Sequence, residues 1–178
     1  MAGASAETIK DVNTRYHDVA AADYDSKWGI SYEDHGRAEV IGKLSKAVGA
    51  SLDRYERALE IGAGTGYFSL NLLQARVVEE AVATDISQGM LDALAGSARE
   101  LGVADRVQTV RTEAERLPFA DNSFDLVFGH AVLHHLPLAL AAVRDSPLRV
   151  VARGREIVVA DVGVEDLLAC GHRRGKPT

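Results

Sequence analysis

The sequence is poor in the features that mark secreted, membrane-bound or nucleic-acid-binding proteins. It has a single cysteine, Cys170, so no internal disulfide can form, which fits a reducing compartment. Its formal net charge of -6 argues against broad binding to nucleic acid or to anionic membranes. Residues 1–7 have neither the basic region nor the apolar core of a secretory signal. We therefore expect a cytoplasmic protein with no nucleic-acid partner.

The chain also lacks a convincing membrane span. Residues 126–143 contain no Asp, Glu, Lys or Arg, but they include three histidines, Gly129 and Pro137, and their first part alternates like a buried strand. A hydrophobic content of 47% argues against disorder, and 178 residues suit one domain with a sizeable core. The sequence therefore predicts one globular unit without a membrane span.

Hydrophobic periodicity predicts alternating helices and strands. Two amphipathic helices precede the first strand, and a third begins near Met90, with Ser87 placed to cap its start and Gly102 its end. Strands are predicted at about 57–61, 80–86, 106–112, 124–130 and 155–162. This alternation predicts an α/β fold: a doubly wound, mostly parallel sheet with helices on both faces. Ligand is expected over the carboxyl ends of the central strands, where the strand order reverses.

The most informative segment runs from Glu60 to Gly66, with glycine at 62, 64 and 66. An apolar stretch precedes it and a helical pattern follows, so it reads as a strand, a tight turn and a helix start. Glycines there permit positive φ and leave backbone bare for a ligand, whereas an ordinary turn needs only one. The Lys-Ser/Thr of a phosphate-binding loop is absent, and the G-x-G-x-x-G spacing fails because Tyr67 and Ser69 occupy the last glycine position.

This segment resembles the first motif of the class I S-adenosylmethionine-dependent methyltransferases of small-molecule type. Three further blocks follow in that family's order, at residues 83–91, 112–119 and 122–136. The resemblance implies a Rossmann-like core at 56–163, an N-terminal cap or lid segment at 1–55 and a basic tail at 164–178. It implies S-adenosylmethionine as the cofactor and methyl transfer to an O, N or C atom of a small-molecule or lipid-type acceptor.

The resemblance also assigns residues to the cofactor. The loop backbone would pass the methionine moiety, and Glu60 would attract its ammonium group, directly or through water. Asp85, at the end of the second strand, can accept both ribose hydroxyls, although an acid there is also favoured by a helix dipole. Ile86 and Met90 would flank adenine, with Met90 equally suited to the core, and Glu113 with the Ala114 amide would read the adenine amino group. The complete set of predicted cofactor-binding residues is Tyr24, Glu60, Gly62, Ala63, Gly64, Gly66, Asp85, Ile86, Met90, Glu113, Ala114 and His130.

Histidines are the candidates for chemistry. His130, His134 and His135 cluster, but no cysteine lies close by and the Glu of an H-E-x-x-H site is missing, so no metal site is predicted. By resemblance His130 faces the sulfonium region. If the acceptor must lose a proton, His130 or His17 is the predicted general base, since an unperturbed imidazole titrates near neutral pH.

Two other functions stay open. A nicotinamide-dependent oxidoreductase would use the same topology with a different glycine spacing. A non-catalytic or truncated protein of the same fold could keep the cofactor pocket, because fold does not determine activity.

The C-terminal part departs from the family's pattern. Asp145-Ser146-Pro147 interrupts an expected helix, and sixteen residues after Val162 are too few for a helix and the last antiparallel hairpin. We expect a truncated or altered form of a longer enzyme, or a homodimer that covers the exposed edge of the fifth strand.

Overall fold

Five parallel strands form one sheet in the computed structural model, which describes residues 6–48, 52–114, 116–120, 123–130 and 157–160. The strands are β1 Tyr55–Ile61, β2 Val78–Asp85, β3 Val107–Arg111, β4 Leu126–His130 and β5 Ile157–Ala160. They lie in the order β3-β2-β1-β4-β5, and every neighbouring pair is parallel. All five predicted strands are present. The predicted doubly wound Rossmann-like fold is confirmed.

The helices follow the predicted periodicity with one addition. They are α1 Ala6–Ala20, α2 Tyr24–Trp28, α3 Asp34–Val48, α4 Tyr67–Gln74 and α5 Gln88–Glu100. The Ser87 hydroxyl accepts a hydrogen bond from the Met90 amide, and Gly102 has φ 68°, so both predicted ends of α5 are confirmed. Helix α2 was not predicted, because five residues are too few to show a period.

The sheet buries both of its faces. Alternate residues such as Ala58 and Phe128 join a core cluster with side chains of α3, α4 and α5. Their neighbours Leu59 and Val127 join a second cluster, which the segment around Phe124 completes. Burial on both sides explains why β1 and β4 read as continuous apolar runs rather than as alternating patterns.

The strand order reverses at β1. From β1 the chain builds outward through β2 and β3, and it then returns to the opposite side of β1 with β4. Ile61 pairs with Gly129, so the turn after β1 and the end of β4 share one edge of the sheet. The crevice at this carboxyl edge, beside the reversal of strand order, is where open α/β sheets bind ligands. At the opposite, amino end of the same two strands, the Asp125 carboxylate accepts the amides of Glu56 at 2.7 Å and Arg57 at 2.8 Å.

None of the described helices combines the length and apolar character that a bilayer-spanning helix requires. Helices α1 and α3 pack on α5 and α4, so the N-terminal segment lies against the core. Several predictions concern residues outside the described ranges: the basic tail, the lack of a final hairpin, and the places of His134 and His135.

Candidate functional site

The glycine turn, residues 62–66, joins β1 to α4, and its three glycines all have positive φ, at 68°, 54° and 90°. A Cβ on Gly64 would meet no atom within 4 Å, so the loop is open there. A Cβ on Gly66 would lie 2.6 Å from Leu94 Cγ, so Gly66 is needed for packing against α5. The Ala63 amide donates to the Thr84 carbonyl at 2.8 Å, which ties the turn to β2. Bare backbone is therefore presented at Gly64.

Glu60, the residue before the last of β1, faces inward, toward α4. Its side chain is 2% exposed, and one carboxylate oxygen accepts the Ser69 amide at 3.0 Å and the Ser69 hydroxyl. Burial raises the pKa of Glu60 to about 8; the two hydrogen bonds from Ser69 oppose this shift and the carboxylate of Asp85 adds to it. Glu60 therefore satisfies the first turn of α4 and is mostly protonated at neutral pH in this arrangement.

Asp85 ends β2 and bridges two turns. One carboxylate oxygen accepts the Gly64 amide and the other accepts the Ser87 amide, both at 2.9 Å. The residue is half-buried. Each carboxylate oxygen has a second lone pair, so Asp85 can still accept hydroxyl groups while the two amides hold it in place.

The predicted adenine contacts differ in their exposure. Ile86 is half-buried, and its carbonyl accepts the Arg111 Nε–H at 3.0 Å. Met90 is 1% exposed, so its side chain lies in the core. Glu113 and Ala114 are half-buried just beyond β3, and Ala114 packs against the second core cluster. Of these four, Met90 offers a ligand the least surface.

Tyr24 brings the N-terminal segment to Asp85. Burial raises the pKa of the Tyr24 hydroxyl, and Tyr16 and the carboxylate of Asp85 add to the shift. The rings of His17 and Tyr24 have centroids 6.2 Å apart. His17 therefore lies next to Tyr24.

His130 lies at the end of β4, beside the start of α4. Its ring stacks on Phe68 with centroids 4.5 Å apart and an interplanar angle of 26°. Phe68 follows the glycine turn by two residues, so the imidazole adjoins that turn. No group of three or more potential metal-ligating side chains occurs within the described part of the chain.

Two contacts at this edge were not predicted from the sequence. The Asp18 carboxylate accepts the Ser87 hydroxyl at 2.5 Å and the Gly89 amide at 3.1 Å. Both hydrogen bonds lower the pKa of Asp18, and the bond from Ser87 has the larger effect. The Tyr32 hydroxyl lies 2.9 Å from the Thr65 carbonyl. An acid on the polar face of α1 gives no sequence signal for such a role, and Tyr32 follows no helical or strand period.

A family model described as "Methyltransferase domain" matches residues 59–159, which include both turns and β4. The chain is 33% identical over 144 residues to the uncharacterized methyltransferase YcgJ of Bacillus subtilis, covering 79% of this chain and 55% of that protein. It is 43% identical over 119 residues to a malonyl-[acyl-carrier protein] O-methyltransferase of Methylococcus capsulatus, covering 60% of this chain and 41% of that protein. The chain thus spans about half the length of these relatives.

Solved structures agree on the fold. The crystal structure of Bacillus subtilis YcgJ matches with a TM-score of 0.56 at 28% identity, over 70% of this chain and 50% of that one. The crystal structure of the [4+2]-cyclase SpnF matches with a TM-score of 0.64 at 23% identity, over 85% of this chain and 58% of that one. The second similarity concerns the fold alone.

Proposed function

The chain belongs to the methyltransferase domain family, and from that premise we propose that it transfers a methyl group from S-adenosylmethionine to a small-molecule or lipid-type acceptor. The observation that carries the proposal is the pairing of bare backbone at Gly64 with a fixed carboxylate at Asp85. The Gly64 amide donates to Asp85, so the loop and the acid are set against each other before any ligand arrives. Such preorganisation reduces the entropic cost of ordering the site when the ligand binds.

The residues present fit the cofactor. A nucleoside needs an acceptor for its ribose hydroxyls, which Asp85 provides, and an apolar surface for its base, which half-buried Ile86 provides. Open space over Gly64 leaves room for the amino-acid part. A pyrophosphate would fit poorly, because the carboxylate of Asp85 lies at this edge and would repel it. This argues against a dinucleotide at the same place.

Held by the backbone at Gly64, by Asp85 and by Ile86, S-adenosylmethionine would supply an electrophilic methyl group for in-line displacement by the acceptor's nucleophilic atom. The protein contributes by aligning the two reactants, which can supply effective molarities on the order of 10⁵ M or more. Where the acceptor carries a proton, we propose His130 as the base that takes it, with His17 as the second candidate.

The names of two relatives support a proposal for the acceptor class. One of them is an O-methyltransferase of malonyl-[acyl-carrier protein], and another, from Haemophilus ducreyi, is a ubiquinone/menaquinone biosynthesis C-methyltransferase. We propose an acceptor that combines an apolar body with one nucleophilic oxygen or carbon. The fold also hosts a protein named a [4+2]-cyclase, so a site that binds the cofactor without transferring its methyl group is the second candidate function.

We also propose a cytoplasmic location and a homodimer formed through β5. Strand β5 pairs with β4 and has no second neighbour among the described strands, and an open strand edge favours pairing with another chain. Light scattering after size exclusion at several concentrations tests the dimer. A monomer at every concentration would contradict it.

Calorimetry and an activity assay test the function in sequence. The chain should bind S-adenosylmethionine and S-adenosylhomocysteine but not NAD. It should then transfer a labelled methyl group to a member of a panel of hydroxyquinones and carboxylated thioesters. Binding without transfer to any acceptor would favour the second candidate, and preferential binding of NAD would remove the first.

A further inference from the structure

Three residues from two separate segments of the chain meet beside the glycine turn. Asp25 lies on α2, Tyr32 follows that helix, and Thr65 stands between the two glycines at positions 64 and 66. The Tyr32 hydroxyl lies 2.9 Å from the Thr65 carbonyl and 3.3 Å from Asp25 Oδ2. The Tyr32 hydroxyl therefore holds the Asp25 carboxylate close to the glycine turn.

This cluster has more acceptors than donors. Asp25 Oδ1 and Thr65 Oγ1 are both buried with no hydrogen-bond partner, and Thr65 as a whole is 2% exposed. Tyr32 has one proton, which it can give fully to only one of its two acceptors. None of the ion pairs between described residues includes Asp25. Because burying an ionised carboxylate without donors is costly, the cluster requires a donor, preferably a cationic one.

Glu60, the acid that the sequence assigns to the ammonium group, is placed differently. Its carboxylate is turned into α4, where Ser69 occupies it, and its pKa is raised to about 8 by burial. An ammonium group has three donors and no acceptor, so it complements Asp25 Oδ1 and Thr65 Oγ1. Thr65 directly follows Gly64, the open point of the turn, and Tyr32 links Asp25 to Thr65.

We propose that Asp25, together with the Thr65 hydroxyl, binds the ammonium group of the cofactor's amino-acid moiety. This inference rests on the proposed function. It makes α2 part of the ligand site. Asp25 of this helix contacts the amino-acid end of the ligand, and Tyr24 lies toward Asp85 at the nucleoside end.

The test compares ligands with and without the amino group, using calorimetry on the full chain. Asp25→Asn keeps the shape of the side chain but removes its charge. We expect it to weaken binding of S-adenosylhomocysteine roughly 10- to 100-fold. It should leave binding of the deaminated analogue of S-adenosylhomocysteine unchanged. Asp23→Asn, an exposed acid in the preceding turn, is the matched control and should change neither.

Thr65→Val supplies a second, independent measurement. The Thr65 hydroxyl has no partner in the free protein, so its loss should leave the melting temperature unchanged or raised while it weakens binding of S-adenosylhomocysteine. Thr65→Ser should restore that binding.

Three outcomes count against the inference. If Asp25→Asn weakens both ligands equally, Asp25 has a structural role only. If it weakens neither, Asp25 does not meet the ligand. If the parent protein binds neither ligand, the proposed function fails as well.

Discussion

The turn after β1 and the turn after β2 have the same strand-turn-helix connection, but they satisfy it in opposite ways. In the first, Gly66 precedes α4 without a side-chain cap, and buried Glu60 reaches from the strand to accept the Ser69 amide. In the second, Ser87 caps α5 through its own hydroxyl. Asp18 of α1 adds a bond to the Gly89 amide.

The difference separates two tasks at one edge of the sheet. Moving the acid of the first turn inward leaves the loop surface as bare backbone, which a ligand can approach closely. Capping the second turn with side chains holds Asp85 at the surface in one position. A site built from these two turns has an open wall and a rigid acceptor.

Gly64→Val should have the largest effect, because it puts a β-branched side chain where the first turn is open. We expect cofactor binding to weaken at least about 100-fold while the fold survives with a cost of roughly 1–3 kcal/mol. Gly102→Val is the matched control, since Gly102 also has positive φ and open space but ends α5. It should cost similar stability and leave binding intact. Normal binding by Gly64→Val, measured by calorimetry, would place the ligand elsewhere.

Glu60→Gln sharpens the comparison through pH. The pKa of Glu60 is raised to about 8 in the folded chain, so the unfolded chain loses its proton at lower pH. The contribution of Glu60 to stability is therefore complete below its unfolded pKa and is lost as pH rises through about 8. Relative to the parent, Glu60→Gln should gain about 2–3 kcal/mol in free energy of unfolding between pH 4 and pH 7. Urea denaturation of both proteins at pH 4 and pH 7 checks this. The same difference in free energy of unfolding between variant and parent at the two pH values would contradict it.

Asp85→Ala removes the acid of the second turn. It should weaken cofactor binding by about 1.5–3 kcal/mol, the range for hydrogen bonds to a charged group. Replacing the cofactor by a 2′-deoxy or 3′-deoxy analogue should reduce the affinity of this variant less than it reduces the affinity of the parent, because the acceptor of those hydroxyls has gone. Asp92→Ala, farther along α5, is the control. Unchanged discrimination between ribose and deoxyribose ligands would remove Asp85 from the ribose.

Asp18→Ala should have the smallest effect. Asp18 lies at the surface, where solvent weakens the interactions of a charged side chain. The loss in free energy of unfolding should therefore stay below about 1 kcal/mol. Cofactor affinity should fall modestly, since the caps of the second turn become looser. Asp11→Ala on the same helix is the control. A loss in free energy of unfolding well above about 1 kcal/mol would mean that Asp18 does more than cap α5.

The sequence predicted those features that hydrophobic periodicity and short motifs indicate. The five strands and the ends of α5 were predicted because buried strands are apolar runs and because Ser and Gly mark helix ends. Glu60 was predicted as a site residue from the resemblance, and Asp85 from its place at the end of the second strand. The direction in which Glu60 points was not, because a side chain at the end of β1 can face the ligand or α4, and only the packing of Ser69 decides between them. The contact of Tyr32 with Thr65 joins residues 33 apart in the chain and leaves no local pattern.

The hydrogen bond from Tyr32 to the Thr65 carbonyl also has a consequence for exchange rates. We predict that this segment releases the bond when a ligand enters or leaves, so that opening limits both rates. The same segment carries Trp28, the only tryptophan in the chain, at 60% exposure. Its fluorescence can therefore follow the opening in a stopped-flow instrument without any label. Tyr32→Phe, which lacks the hydroxyl, should bind and release faster than the parent, whereas equal rates would mean that this bond does not gate the site.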